Sequence, residues 1–308
     1  MPNKQIQRID TITEFHRQRG LAKPEHPLIS LVDYSQVRHS VEQNVVTWVQ
    51  GFYSIGLKRN VCGKFRYGQQ QYDFDEGLLS FIAPGQVFSI EVLPEEQMTQ
   101  RPSGWLLLIH PDFLWNTPLA KKIKQYEFFG YAVNESLFLS DKEEAIIIGI
   151  MQNIRAEYHT NIDKFSQNII ISQIETLLNY SERFYQRQFI TRKITSHQTL
   201  DRLESLLDQY FENDLLLEKG IPGVQEVSDK MNMSPNYLSS LLKSLTGQST
   251  QQHIHNKLID KAKEKLSTTT LSVSEIAYEL GFEHPQSFSK LFKSKTNLTP
   301  LEFRASFN

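Results

Sequence analysis

Cysteine is nearly absent from this 308-residue chain: Cys62 stands alone. No internal disulfide can form, and no thiolate cluster can hold zinc. Long apolar runs are absent as well. The longest, around 145–151 (AIIIGIM), falls far short of the ~20 residues that cross a bilayer. The first twenty residues, MPNKQIQRIDTITEFHRQRG, lack the apolar core of a signal peptide. These absences predict a cytoplasmic protein with no membrane partner. An excess of charge is missing too, with 33 Lys and Arg against 35 Asp and Glu, a net of −2, so any polyanionic partner must be met by local charge. Residues 45–105 contain no histidine, and His16, His26, His39, His110 and His159 form no His-x-His or Glu-x-x-His pair. Neither a nucleophile elbow nor a glycine-rich phosphate loop appears. No catalytic residue, metal site or cofactor is expected.

What is present divides the chain in two. With 39% hydrophobic and 22% charged residues, a chain of this length can bury two cores. Between 45 and 110, β-branched and aromatic residues alternate with polar ones in short runs broken by glycine and proline: VVTWVQGFYSIGLK, GLLSFIAPGQVFSIEVL and GWLLLIH. Such spacing predicts a β-barrel or sandwich, with a turn at Ala83-Pro84-Gly85-Gln86. From about 118 the period changes to 3.6. Ile146, Ile147, Ile150, Met151 and Ile154 line one helix face, and Ile170, Ile174, Leu177, Leu178 and Tyr185 line another over about 165–188. Ile169 and Ile171 widen the second stripe, which fits either core within the domain or the interface of a homodimer. Residues 191–199 are polar and weakly periodic and are expected to be a linker. The predicted division is 1–190, with strands about 30–115 and helices about 118–188, then the linker, then 200–308.

The second part contains a repeat. VSDKMNMSPNYLSSLLKSLTG at 227–247 matches IAYELGFEHPQSFSKLFKSKTN at 276–297. Val227, Met231 and Met233 fall 49 positions before Ile276, Leu280 and Phe282; after the turn the offset is 50, for Pro235 with Pro285, Leu238 with Phe288 and Leu242 with Phe292. Each copy reads as helix, tight turn, helix. Ser234 and Pro235 are an N-cap and N1 pair; Ser272 with Glu275 is a capping box; Gly281 ends one helix and Pro285 opens the next. Between the copies, Ile254, Leu258, Ala262 and Leu266 recur every four residues, predicting a helix of about 17 residues and about 25 Å. That rod would hold the two trailing helices on one side of a duplex, about one turn (roughly 34 Å) apart.

Charge counted from 230 to 308 supports a DNA partner modestly. Lys230, Lys243, Lys257, Lys261, Lys263, Lys265, Lys290, Lys293, Lys295 and Arg304 face Asp260, Glu264, Glu275, Glu279, Glu283 and Glu302, ten cations against six acids, an excess of four. The groove-facing candidates on the first trailing helix are Ser234, Asn236, Tyr237, Ser239, Ser240 and Lys243. On the second they are His284, Gln286, Ser287, Ser289, Lys290 and Lys293. Asparagine can pair bidentately with adenine, and lysine with guanine or phosphate. Leu238, Leu241, Leu242, Phe282, Phe288, Leu291 and Phe292 are expected in the core.

Over its last hundred residues the chain resembles the DNA-binding domain of the AraC/XylS family of transcription regulators. The resemblance rests on Ala277 to Gly281-Phe282, Phe288-Ser289, Leu291-Phe292-Lys293 and Thr299-Pro300-Leu301-Glu302-Phe303-Arg304, with Ala262 and Leu266 ahead of them. Asn297 stands where the family has glycine, Lys257 where it often has arginine, and His253-Ile254 where tyrosine commonly precedes isoleucine. The resemblance implies an α+β protein: a cupin-like β-barrel with following helices, then an all-α domain of two helix-turn-helix units joined by a connecting helix. It implies a sequence-specific activator, dimeric, that binds double-stranded DNA, works with RNA polymerase and responds to a small-molecule effector in the barrel. The family's second unit often makes fewer base contacts, which assigns phosphate roles to its side chains here. Trp48, Phe52, Tyr53, Phe65, Phe81, Phe88 and Trp105 are then the pocket candidates, and Arg66 and Tyr67 could orient a polar effector. A cupin-type enzyme with an accessory helical domain would need a metal set that the histidines do not form. A ligand-independent regulator, governed by a protein partner, is equally compatible with the residues.

Overall fold

The computed structural model describes residues 7–38, 45–59, 66–67, 70–71, 77–91, 103–132, 135–159, 164–191, 193–212, 216 and 219–306. The chain divides into two compact units, Met1–Gln188 and Phe189–Asn308.

In the first unit the alternating runs become strands. Strands β1 (Gln7–Ile9), β3 (Val45–Gln50) and β8 (Val87–Glu91) form one sheet, in which β1 runs parallel and β8 antiparallel to β3. A second, antiparallel sheet has the order β10 (Leu137–Phe138), β7 (Leu78–Ile82), β4 (Tyr53–Arg59), β9 (Ser103–Ile109), β2 (Ile29–Asp33). Two residues each of β5 (Arg66–Tyr67) and β6 (Gln70–Gln71) make a separate ribbon. Among the described residues β2 and β10 each pair on one side only, so hydrogen bonding between these strands closes no barrel. The chain changes sheet instead. It does so after Gln50 and again at the expected turn, where the Gln86 amide donates to the Ala83 carbonyl (3.3 Å) and Gly85 takes φ +79°. Ile9, Trp48, Ile82, Leu106 and Leu108 fill the space between the two sheets.

Pleating then sorts the side chains of the larger sheet. Ser54, Lys58, Ser80, Ile82, Leu106 and Leu108 share its inner face with that core. Tyr53, Phe81 and Trp105 have the opposite parity. Tyr53 meets Phe129 at 5.1 Å, Phe81 meets Phe128 at 4.4 Å, and Trp105 lies 5.1 Å from the Arg155 guanidinium. That outer face is covered by helix α3 (Asp141–Tyr158), through Ile147, Met151 and Ile154, and by the aromatic turn Glu127–Gly130. After the short helices α1 (Ile12–Gln18) and α2 (Leu119–Lys122), the long helix is α4 (Lys164–Thr191), which buries Ile170, Ile171, Ile174, Leu177, Leu178 and Tyr185. Ile169 is 47% exposed and Phe165, one turn before it, 64%. Ile171 therefore belongs to the core, and Ile169 to the open edge of the stripe.

The linker expected at 191–199 is largely helix. Residue 191 ends α4 and residues 193–199 open α5 (Lys193–Glu212). Apolar periodicity is weak at this helix start, because the residues that hold α5 in place are Leu200, Leu203 and Leu207 further along, which bury against the rest of the unit.

The second unit continues with α6 (Val224–Met231), α7 (Pro235–Thr246), α8 (Thr250–Thr268), α9 (Val273–Glu279), α10 (Pro285–Thr296) and α11 (Pro300–Ala305). Its caps are those the residues announce. Ser234 Oγ accepts the Tyr237 amide (3.3 Å); Ser272 and Glu275 satisfy each other's amides at 3.2 and 2.7 Å; Pro235 and Pro285 occupy N1. Capping boxes at Ser249 with Gln252 and at Thr299 with Glu302 start α8 and α11. The repeat also returns in the backbone. Asn232 (φ +55°) and Gly281 (φ +79°), 49 apart, are left-handed, as are Gly247 (φ +76°) and Asn297 (φ +61°), 50 apart. Each pair uses one glycine and one asparagine, the two residues that tolerate this region best.

One core runs through both copies. Leu238, Leu242, Phe288 and Phe292 are fully buried with Ile254, Leu258, Ala262 and Leu266 of α8. Leu241 is buried as expected; Phe282 and Leu291 are only partly so, at the edge of the same core. Aliphatic side chains fill the first copy. In the second, Phe282, Phe288, Phe292 and Phe303 follow one another at centroid spacings of 5.4–5.8 Å. Helix α5 joins through Leu203, Leu207, Tyr210 and Phe211, and the Tyr210 hydroxyl donates to Glu226 at 2.6 Å. Burial and then that carboxylate push the phenol up to about 12.

Phe288→Ala should cost about 3–5 kcal/mol in urea denaturation through the cavity it leaves. A Cβ at Gly281 would meet the Leu216 carbonyl oxygen at 2.9 Å in a left-handed backbone, so Gly281→Ala should cost on the order of 1–3 kcal/mol. Asn232→Gly, at the matched position of the first copy, should change stability by less than about 1 kcal/mol.

Burial lowers the pKa of His16, His26, His253 and His255. The His16 Nδ1–H donates to the Ala22 carbonyl (2.5 Å), which leaves Nε2 to accept from the Ser30 hydroxyl (2.9 Å) in the neutral ring. The unfolded chain therefore binds protons first as pH falls through about 6.5. Stability should be full above that pH and fall below it, so thermal melts at pH 5.5 should lie below those at pH 7.5. His16→Gln should reduce the difference.

Candidate nucleic-acid interface

Helices α7 and α10 occupy the trailing position of the two copies, each starting at a proline that needs no amide partner. On α7, Asn236 and Lys243 are exposed, while Ser234 and Ser239 are half-buried. Two of the candidates are buried. Tyr237 is 6% exposed and Ser240 5%, and the Tyr237 ring meets Phe189 edge-on at 5.3 Å. Three residues apart, they form the flank beside Leu241, and a flank is the part of a helix that periodicity cannot assign to core or solvent. On α10, His284, Gln286, Ser287, Lys290 and Lys293 are exposed and Ser289 is half-buried. Gln286, Lys290 and Lys293 stand at i, i+4 and i+7, on one face.

The cations sort into two groups. Lys257 pairs with Asp208 of α5, Lys265 with Glu279 of α9 (2.6 Å), Lys261 with Glu264 (3.0 Å), Lys263 with Asp260 (3.7 Å) and Lys230 with Glu226 (3.6 Å). The Arg304 Nε–H donates to the Leu266 carbonyl at the end of α8 (3.2 Å). These six of the ten counted cations fasten the unit internally. Lys243, Lys290, Lys293 and Lys295 are exposed on α7 and α10. Among the described residues, the last three have no carboxylate within ion-pairing distance. The small local excess of charge is thus concentrated on the two trailing helices, a distribution that a count along the chain does not resolve.

The aromatic candidates of the first unit scatter. Trp48 is buried and lines a cavity between the two sheets. Phe52 is core, in edge contact with Phe15 at 5.9 Å, and Tyr53, Phe81 and Trp105 point to the opposite face of the larger sheet. Phe65 lies outside the described residues, as do the side chains of Phe88, Arg66 and Tyr67. The polar residues of that cavity, Arg19, Gln50, Ser54, Lys58 and Ser80, are not among the sequence candidates. Lys58 carried the one readable signal: a charge that shares the inward parity of Ser54 and Gly56, opposite to Ile55 and Leu57.

A family model described as a helix-turn-helix domain matches residues 227–306, from the first helix of the first copy into α11. The chain is 28% identical over 164 residues to the HTH-type transcriptional regulator YfiF of Bacillus subtilis (strain 168), covering 53% of this chain and 49% of that protein. It is 41% identical over 78 residues to the transcriptional regulatory protein YesN of the same organism, covering 25% of this chain and 21% of that one. The chain thus spans about half the length of the first relative and a fifth of the second. Among solved structures, the C-terminal domain of the two-component response regulator yesN from Fusobacterium nucleatum is 27% identical, with a TM-score of 0.31, covering 35% of this chain and 98% of that one. With caps and left-handed turns repeated at offsets of 49 and 50, and a family match that runs through both copies, residues 227–306 form a helix-turn-helix domain similar to those of bacterial transcriptional regulators.

Proposed function

We propose that the chain is a sequence-specific, DNA-binding transcription regulator that reads double-stranded DNA with α7 and α10. One observation carries the reading: both copies of the helix-turn-helix share a single core through α8, so that the two trailing helices are held by one rigid body. Within it, Asn236 and Lys243 on α7 reach bases and phosphate. Gln286, Ser287, Lys290 and Lys293 on α10, with His284 and Ser289 beside them, take mainly phosphate contacts. Ser234 serves as the N-cap that aims the first turn of α7.

In this reading the first unit is the sensor and dimerisation domain. The open edge of α4, with Phe165 and Ile169 one turn apart and exposed, supports a homodimer, whose two copies would meet two half-sites. Activation through RNA polymerase, control by a small molecule in the first unit and a cytoplasmic location complete the proposal. No helix among the described residues is long and apolar enough to cross a membrane.

Genomic binding-site mapping with the native protein supplies the cognate site, and footprinting then tests the residues. Asn236→Ala should weaken binding by roughly 1–3 kcal/mol and relax preference at one base pair. Unaltered footprints for both Asn236→Ala and Lys243→Ala would remove α7 as the reading helix. Affinity should fall steeply with salt, and Lys290→Gln with Lys293→Gln should flatten the slope by about 0.9 for each phosphate no longer neutralised.

A further inference from the structure

We propose that the cavity between the two sheets of the first unit binds a short aliphatic carboxylate, received by Arg19 and Lys58. The inference rests on the reading of that unit as a small-molecule sensor and names the chemical class of its ligand. Arg19, just past the end of α1, is only 3% exposed, yet its Nε and Nη2 are buried without a hydrogen-bond partner. Its guanidinium carbon lies 4.7 Å from the Trp48 ring centroid and 5.7 Å from that of Phe15. Cation–π contact satisfies the plane of the group and leaves its edge donors unused. Nε–H and Nη2–H lie along one side of the guanidinium, parallel to each other. That is the geometry a carboxylate accepts bidentately.

The surroundings favour an anion. Lys58, 7% exposed, holds its Nζ 4.9 Å from the Tyr34 ring on the wall of the same cavity. Two cations line the space and no acid does so among the described residues. A buried guanidinium with unused donors is costly, and a bound carboxylate would remove that cost. Gln50 is already committed, its amide donating to the Phe52 carbonyl and to Ser54 Oγ, both at 2.9 Å. Arg19, rather than the neutral rim, therefore has capacity to spare.

Size and lining narrow the class. The cavity measures about 40 Å³, roughly three times the ~10–15 Å³ that a single water needs. A three-atom carboxylate head fits that space. Ile82, Leu106 and Leu108 form the apolar part of the wall, which suits a short hydrocarbon tail.

The test uses the full chain with sodium acetate, propionate, acetamide and inorganic phosphate at constant ionic strength, read by tryptophan fluorescence and thermal melting. Acetate and propionate should raise the melting temperature and change the Trp48 emission saturably, and acetamide should do neither. Arg19→Met should weaken the carboxylate response on the order of 10- to 100-fold. Without added anion it should melt no lower than the native chain, because it removes an uncompensated buried charge. Should Arg19→Met not fold, Arg19→Lys keeps the charge without the fork and should retain a weaker response.

No carboxylate response in the native chain would overturn the assignment, as would a response that survives Arg19→Met. A response to phosphate alone would overturn the carboxylate class. Measuring DNA affinity with and without propionate separates this inference from the sensor reading. Arg19-dependent propionate binding with unchanged DNA affinity keeps the site and removes the sensor role. Absent propionate binding beside intact DNA recognition removes the site and leaves the regulator standing.

Discussion

The second unit depends on burying one stripe of α8. Ile254, Leu258, Ala262 and Leu266 recur every four residues, and each is buried in the core that both helix-turn-helix copies share. A bare helix of this length would be marginal in water. Packed on two sides it cannot bend or rotate without opening the core of one copy or the other. The ion pairs of Lys257 and Lys265 add directional ties to α5 and α9, at sites exposed enough that each contributes little alone. The rod is thus less a spacer than the shared floor of both reading heads.

The same economy of means shows in the turns. A short helix can be reversed within two residues only through a left-handed position, and the repeat places one at each of four equivalent points. Glycine is used where the backbone of a neighbour approaches, at Gly281 beside Leu216 and Gly220. Asn297, which departs from the family's usual glycine, adopts φ +61° and so preserves the turn.

Charge is divided between holding and reaching. Along α8 lysines are neutralised within the unit, whereas Lys290, Lys293 and Lys295 of α10 form no ion pair among the described residues. The first unit shows the reverse disposition, with Arg19 and Lys58 drawn inside among aromatic rings. Exposed cations suit a large, hydrated polyanion, and enclosed ones suit a small anion that must shed its water.

By itself the sequence determined the elements whose causes are local. Caps at Ser234 and Ser272, prolines at N1, the repeat at offsets of 49 and 50, the α8 stripe and the helix periods of α3 and α4 depend on residues within a few positions of one another, and all are legible there. The architecture of the first unit was not. Alternation says that a strand has two faces, but which face meets the other sheet is decided by pairings such as Ser54 with Ile82 and Leu108. Tertiary structure alone sent Tyr53, Phe81 and Trp105 outward, buried Tyr237 and Ser240, made residues 193–199 helical and drew Arg19 beneath Trp48. Those outcomes follow from contacts between residues far apart in the chain, whose sign and partner no local period encodes.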